Sequence, residues 1–251
     1  MTTAMPPIDV VILTWNDGPL LDVAVASVHG SEGVEARTIV VDNGSDPPAS
    51  PALRDGDLLV RNDANRGVAP GRNQGVRAGA SPYVCLLDSD ARLHVGSLAA
   101  LVAALEADPR IGLVAPVFDG QTPTASGGRA PTLARKVGRV LGRTAEYDGP
   151  EPTGDAWDVD FAIGACQLFR RTAFDEVGGL DESFFYGPED ADYCMRLRLA
   201  GWRVQQVAAA GCEHPPRRRN RKLLTRRGLQ HAWAVSRFLW RHRRYQHLVS
   251  R

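Results

Sequence analysis

One repeated device constrains this chain most: a short apolar run rich in β-branched residues stops at a polar turn, and a stretch with helical spacing follows. Residues 8–14 (IDVVILT) lie between Pro7 and the turn Trp15-Asn16-Asp17-Gly18-Pro19. Residues 19–29 then set Leu20, Leu21, Val25 and Val28 at helical spacing before Gly30, and residues 38–41 form a second apolar run that stops at Asp42-Asn43-Gly44-Ser45. An apolar run without alternation is buried on both faces, which is the condition of a strand inside a parallel sheet. The pattern continues as a strand at 58–60, a helix at 69–78, a strand at 83–87, a helix at 95–107 and a strand at 112–116. Strands alternating with helices predict an α/β fold, with a mostly parallel sheet, helices on both faces and ligands at the carboxyl ends of the strands.

Beyond that core the signals thin. Residues 119–158 are rich in Gly, Pro, Thr and Ala and read as an insertion of the kind that carries function-specific contacts. Residues 160–170 resume a strand-like run, 177–186 are turn-rich, 189–200 have helical spacing and 202–207 are again strand-like. With no repeat and no flexible linker, residues 1–216 are expected to form one catalytic domain, followed by a tail at 217–251. Cys85, Cys166, Cys194 and Cys212 are far apart and show no metal-binding spacing, so they read as reduced, mostly buried thiols. No stretch approaches the roughly 20 apolar residues that cross a bilayer, and the first seven residues lack the pattern of a signal peptide, so a cytoplasmic protein is expected.

The candidate chemistry falls at the predicted strand ends. Leu86-Leu87-Asp88-Ser89-Asp90 sets two carboxylates at i and i+2 just past a buried strand, where they can converge on a divalent cation such as Mg²⁺ or Mn²⁺. The plain alternative is a solvated turn with Asp as its cap. Asp42, also at a strand end, can accept a hydrogen bond from a base or ribose. Residues 65–73 (NRGVAPGRN) form a Gly-containing turn that enters a helix and offers backbone N–H groups and two guanidiniums to an anion. Glu189-Asp190 opens a helix, whose N-terminal dipole is expected to keep both carboxylates ionised.

These segments, in order, resemble family 2 glycosyltransferases: VVILTWN, IVVDNGSDP, NRGVAPGRNQGVRAG, LLDSDARL, the long stretch from GACQLFRR to AGWRV, and Cys212-Glu213-His214. The bacterial rhamnosyltransferase-like branch is the most similar. The resemblance implies the GT-A fold, a single Rossmann-like sheet, and an inverting hexosyl- or deoxyhexosyltransferase. It also implies a UDP-, dTDP- or GDP-linked sugar donor, Mn²⁺ or Mg²⁺, and a hydroxyl acceptor in a cell-envelope glycan, a lipid-linked glycan or a natural product. By position, Thr14, Asn16, Asp42, Asn65, Gly67, Arg72, Asp88 and Ser89 would border the nucleotide sugar, with Arg66 as the alternative to Arg72. Asp90, Asp88 and His214 would hold the metal. Asp190, with Glu189 second, would take the proton from the acceptor hydroxyl, a task that suits a carboxylate. A sugar-nucleotide-forming enzyme is disfavoured, because Thr14-Trp15-Asn16-Asp17-Gly18 stands where its Gly-rich loop belongs. A non-catalytic nucleotide-binding or membrane-associating protein that kept the fold would have lost some of these carboxylates, and all are present.

The net charge of +1 hides an asymmetry: 12 of the 30 Lys and Arg lie between 217 and 251, a segment with no Asp or Glu. Leu229, Trp233, Ser236 and Trp240 recur there at helical spacing, Phe238 and Leu239 broaden the apolar side, and Arg237, Arg241, Arg243 and Arg244 add charge. Such an amphipathic helix at 222–248 either lies on the inner face of a membrane or packs its apolar side back onto the domain and leaves its arginines in water. It has no aromatic-interleaved platform for nucleic acid, which is not expected as a partner.

Overall fold

The computed structural model describes residues 5–122, 126–130, 132, 152–215 and 226–243. The first expected unit forms as β1 (Ile8–Thr14), α1 (Gly18–His29) and β2 (Ala36–Asp42). It is followed by β3 (Leu58–Arg61), α2 (Val68–Ala78), β4 (Tyr83–Asp88), the two-residue β5 (Arg92–Leu93), α3 (Ser97–Ala107) and β6 (Ile111–Phe118). Then come β7 (Gly127–Gly128), β8 (Ala156–Asp158), β9 (Phe161–Ala162), β10 (Cys166–Arg170), α4 (Arg171–Glu176), α5 (Glu189–Leu199), β11 (Arg203–Glu213) and α6 (Arg226–Arg241).

The main sheet runs in the order β3-β2-β1-β4-β10-β6-β11-β5, with β8 also on β11. Strands β3, β2, β1 and β4 are mutually parallel, as are β6 and β11, whereas β10 is antiparallel to both of its neighbours. Helices cover both faces. Leu21, Val25 and Val28 of α1 and Leu98, Leu101 and Leu105 of α3 fill one side. Val76 of α2, Phe174 of α4 and Tyr193 and Leu197 of α5 fill the other. All four cysteines are free and buried.

The sheet's central register places the polar strand ends. Thr14 lies opposite Asp42 across β1 and β2, and Leu13 lies opposite Asp88 across β1 and β4. Because a parallel ladder holds its register through backbone hydrogen bonds, three polar strand ends are brought to one sheet edge whatever their side chains do.

Two departures from the sequence pattern bear on the site. The run at 160–170 is not one strand: it breaks between Ala162 and Cys166, and its halves belong to different sheets. The break brings the backbone of Gly164 to Arg72 and Asp190. The strand expected at 202–207 continues to Glu213 through a register shift between Val207 and Gly211, and that extension carries the chain to His214. Most of the 119–158 insertion lies outside the described residues.

Candidate active site

At the β1–β2 edge, the buried Asp42 carboxylate accepts hydrogen bonds from the backbone N–H groups of Ser45 (2.9 Å) and Ala49 (2.9 Å) and from Arg61 (3.2 Å). Burial pushes its pKa up, but the Ser45 and Ala49 bonds and Arg61 outweigh it and hold the pKa below the usual carboxylate range. Asp42 thus shapes the loop after β2. Asn16, at φ 60°, is tied to that loop through its N–H to Ser45 Oγ (3.0 Å) and through Oδ1, which accepts the Asp46 N–H (2.8 Å). Beside them, Thr14 Oγ1 is buried without a hydrogen-bond partner. A buried hydroxyl in that state suits a ligand that supplies the missing bond.

Asn43 organises the next turn. Its amide group donates to Asn65 Oδ1 and to the Gly67 carbonyl (both 3.1 Å), and its Oδ1 accepts the Arg66 N–H (3.1 Å). Asn65 in turn accepts the Gly67 N–H at 2.9 Å. Gly67 stands at φ 99°, and a Cβ there would lie 2.9 Å from the Phe185 carbonyl oxygen, so the turn admits only glycine where it touches the loop before α5. Asn43 belongs to the strand-end motif but was not expected among the site residues. Its signal was the side chain's capacity for several bonds next to a strand end.

Asp88, Asp90 and His214 converge, each with a ligand atom within 4.8 Å of the others. His214 Nε2 is 3.9 Å from Asp88 Oδ2 and 3.7 Å from Asp90 Oδ1. Two carboxylates and an imidazole form a hard-to-borderline donor set that fits Mn²⁺ or Mg²⁺. Ser89, between the two acids, turns away and donates from Oγ to Asp17 Oδ2 (2.6 Å), fastening the loop after β1 to the loop after β4.

Arg72 is buried beneath this cluster. Its guanidinium donates to Asp88 Oδ1 (2.5 Å), to the Gly164 carbonyl (2.7 Å) and to Glu189 Oε1 (3.4 Å). Burial works against the charge, but Asp88 and Glu189 outweigh it and raise the pKa further. The structure therefore gives Arg72 protein partners and leaves Arg66, on the surface, as the exposed guanidinium of the two candidates.

Glu189 and Asp190 open α5, as expected, but their states differ. Asp190 Oδ2 accepts the Gly164 N–H (3.0 Å), and this carboxylate is only partly buried. Glu189 is buried and its Oε2 has no partner. Burial, with repulsion from Asp190, pushes its pKa to about 7 against the pull of Arg72. The expectation that the helix N-terminus keeps both acids ionised is thus corrected for Glu189: desolvation exceeds what a helix end supplies. Gly164 joins the two acids to Arg72, and a Cβ there would lie 2.6 Å from Arg72 Nη1.

Further along α5, the fully buried Asp192 binds Arg196 (2.7 Å), Arg241 (3.0 Å) and His242 (2.9 Å). Arg241 also pairs with Asp181 at 2.5 Å. Ala234 and Phe238 of α6 pack with Phe184, Ala191 and Met195. Of the two alternatives for the tail, its helix does pack onto the domain. The apolar strip is nonetheless split, because Trp233 and Trp240 point away from that contact and are exposed. Among the described residues, no helix is long and apolar enough to cross a membrane.

The family model described as glycosyl transferase family 2 matches residues 9–178. N-acetylglucosaminyl-diphospho-decaprenol L-rhamnosyltransferase of Mycobacterium tuberculosis (strain CDC 1551 / Oshkosh) is 30% identical over 240 residues, covering 85% of this chain and 76% of that one. The crystal structure of GalNAc-T7 with UDP, GalNAc and Mn²⁺ superposes with a TM-score of 0.65 at 19% identity, covering 88% of this chain. A mannosyltransferase of Pyrobaculum calidifontis, in complex with GDP-Man and Mn²⁺, gives 0.60 at 22% identity over 86% of this chain. The chain spans 46% and 59% of those two structures, and the shared fold is GT-A.

Proposed function

The chain belongs to glycosyl transferase family 2, and on that premise we propose that it is an inverting, metal-dependent transferase. It moves a hexosyl or deoxyhexosyl group from a UDP-, dTDP- or GDP-linked donor to a hydroxyl of a lipid-linked glycan, reached from the cytoplasmic face of a membrane through segment 222–248. The convergence of Asp88, Asp90 and His214 next to the Glu189-Asp190 pair carries this reading. The relative that acts on a diphospho-decaprenol acceptor supports a lipid-linked substrate.

Asp88, Asp90 and His214 would hold the divalent cation, which when bound neutralises charge developing on a departing diphosphate. Thr14 Oγ1 and the loops held by Asp42 and Asn43 border the nucleoside, and Arg66 faces the phosphates from the surface. Asp190 accepts the proton of the attacking hydroxyl. It is the more accessible acid of the pair, and Gly164 N–H aligns its carboxylate. Glu189, buried against Arg72, positions that guanidinium rather than meeting the acceptor.

Thermal unfolding with UDP, dTDP or GDP, with and without Mn²⁺, tests the donor site. A ligand at a hundredfold excess over its Kd stabilises the fold by about 2.7 kcal/mol. One nucleotide is expected to raise Tm only when Mn²⁺ is present, and Asp90→Ala is expected to abolish that rise without lowering the Tm of the free protein. A nucleotide shift that ignores both the metal and this substitution overturns the assignment.

A further inference from the structure

Helix α6 has two faces with different occupants. Ala234, Phe238 and His242 recur every four residues and are buried against the domain. Trp233, Arg237 and Trp240, at i, i+4 and i+7, lie on the adjoining face. Trp233 is 55% exposed and Trp240 69%, the latter the most exposed of the large apolar side chains described. With Ser236 and Arg241 they line a groove of about 480 Å³. Arg237 sits over the Trp233 ring (5.5 Å) and Arg243 over the Trp240 ring (4.6 Å).

We propose that this Trp233–Arg237–Trp240–Arg243 face docks on the surface of an anionic phospholipid bilayer. Indole rings favour the headgroup boundary, and Arg243 beside Trp240 reaches lipid phosphates, joined by Arg237, which lies between the Trp233 ring and Asp181 (3.7 Å). The charge fits one partner best: the segment from 217 to 251 holds 12 positive charges and no negative one, while the remainder of the chain is net acidic and is repelled by the same surface. Pairing this face with its own copy would oppose like charges. Nucleic acid is recognised by a row of aromatic rings on which successive bases stack, and this face carries two rings seven residues apart, each with a guanidinium over one side.

Docking also has a direction. The inward face of α6 is bound to α5 through Asp192 and to the preceding loop through Asp181, so the helix on the bilayer is fastened to the element that carries Glu189 and Asp190. The acceptor side of the site is thereby held next to the lipid surface. This rests on the lipid-linked acceptor proposed above only for its purpose, since membrane binding is read without any transfer assay.

The full chain is mixed with phosphatidylcholine vesicles with and without phosphatidylglycerol, and sedimentation and tryptophan emission are followed at rising salt. Binding is expected only with the anionic lipid, with a blue-shifted emission and a decline as salt rises. Trp233→Ala/Trp240→Ala is expected to weaken partitioning by about tenfold or more while leaving Tm and the Mn²⁺-dependent nucleotide shift unchanged. Both rings are exposed, and the single substitutions carry the test if the double variant folds poorly. Equal partitioning of variant and parent overturns the proposal. So does equal binding to neutral vesicles, tighter binding to a DNA oligonucleotide that falls in parallel in the variant, or a dimer that the variant abolishes while vesicle binding persists. A protein that binds vesicles but shows no nucleotide shift retains this inference and loses the donor-site reading.

Discussion

The two sides of the site are built by different physics. On the side proposed for the donor, Thr14, Asp42 and Asp88 end three adjacent parallel strands, and backbone ladders set their positions. On the side proposed for the acceptor, Glu189 and Asp190 ride on a helix placed by buried charges: Arg72 at its first turn, and Asp192 with Arg196, Arg241 and His242 further along. A ladder distributes its stability over many backbone bonds, so one side-chain change moves it little. A buried charge network concentrates the same task in a few groups, each of which leaves an unpaired charge when its partner is lost. The acceptor side should therefore be the sensitive half, and the one whose geometry responds to pH.

Arg72 is the sharpest test, because its buried guanidinium bridges the halves, from Asp88 to Glu189. Arg72→Ala strands the buried Glu189 carboxyl and leaves the partly exposed Asp88 unpaired, and is expected to cost about 3 kcal/mol in urea unfolding. Arg72→Lys keeps the charge but not the three-way fork, and is expected to recover only part of that. If Arg72→Ala costs no more than an exposed substitution, the acceptor half does not depend on this charge.

Glu189→Gln probes the same contact with the opposite sign. A carboxyl whose folded pKa is about 7, against an ordinary 4.5, favours its protonated form in the fold, so native stability falls as pH rises from about 4.5 to 7 and is flat above. The neutral amide escapes this loss. At pH 8 the variant is expected to be more stable than the parent by up to about 3 kcal/mol, with no gain at pH 4, as followed by Tm across pH. Asp190→Asn removes the repulsion that helps raise the Glu189 pKa, so it is expected to keep the direction of that profile, to shrink its size, and to slow transfer by about a hundredfold or more.

The donor half was the more legible in sequence for the same reason that it is robust. Apolar runs that stop at Asp42 and Asp88 reveal both the strand and its polar end, and parallel pairing then fixes who faces whom. The direction of β10 was not legible, since an apolar run reads alike whether its neighbours are parallel or antiparallel. Nor were β5 and α4, which are too short to show a period. Helix α2 was expected at nearly its observed bounds, but Arg72 turns inward because of partners 16 and 117 residues away, which no local pattern records. The pKa of Glu189 depends on that same enclosure. In α6, helical spacing located the helix but could not rank three aromatic residues within eight positions: Phe238 is buried, whereas Trp233 and Trp240 are exposed.

Asp192→Asn tests the far end of the acceptor network. Burial pushes this carboxyl up, but His242, Arg196 and Arg241 outweigh it and hold its pKa at about 2. A depressed folded pKa contributes stability that is complete above about pH 4 and is lost as pH falls toward 2. The asparagine variant is expected to be about 2 kcal/mol less stable at pH 7 and to show a shallower acid limb in unfolding scans. Hydrogen exchange should then quicken in α6 and the 181–192 segment and stay unchanged in β1, β2 and β4. Equal quickening in the sheet would erase the contrast between the halves.

The smallest effect belongs to the donor half. Ser89 Oγ donates to Asp17 across two loops at the sheet edge, and both loops are also anchored by the strands they leave. A single hydrogen bond to a partly exposed carboxylate contributes about 1 kcal/mol, and Ser89→Ala leaves Asp17 next to water that can replace the lost donor. The variant is therefore expected to lose about 1 kcal/mol or less in urea unfolding, with a modest rise in the donor KM and an unchanged kcat. The loop before Asp90 loosens, but the strand that presents Asp88 does not. A loss comparable to that of Asp192→Asn would mean that side chains, rather than the ladder, hold the donor edge in register, and the two halves would then share one mode of construction.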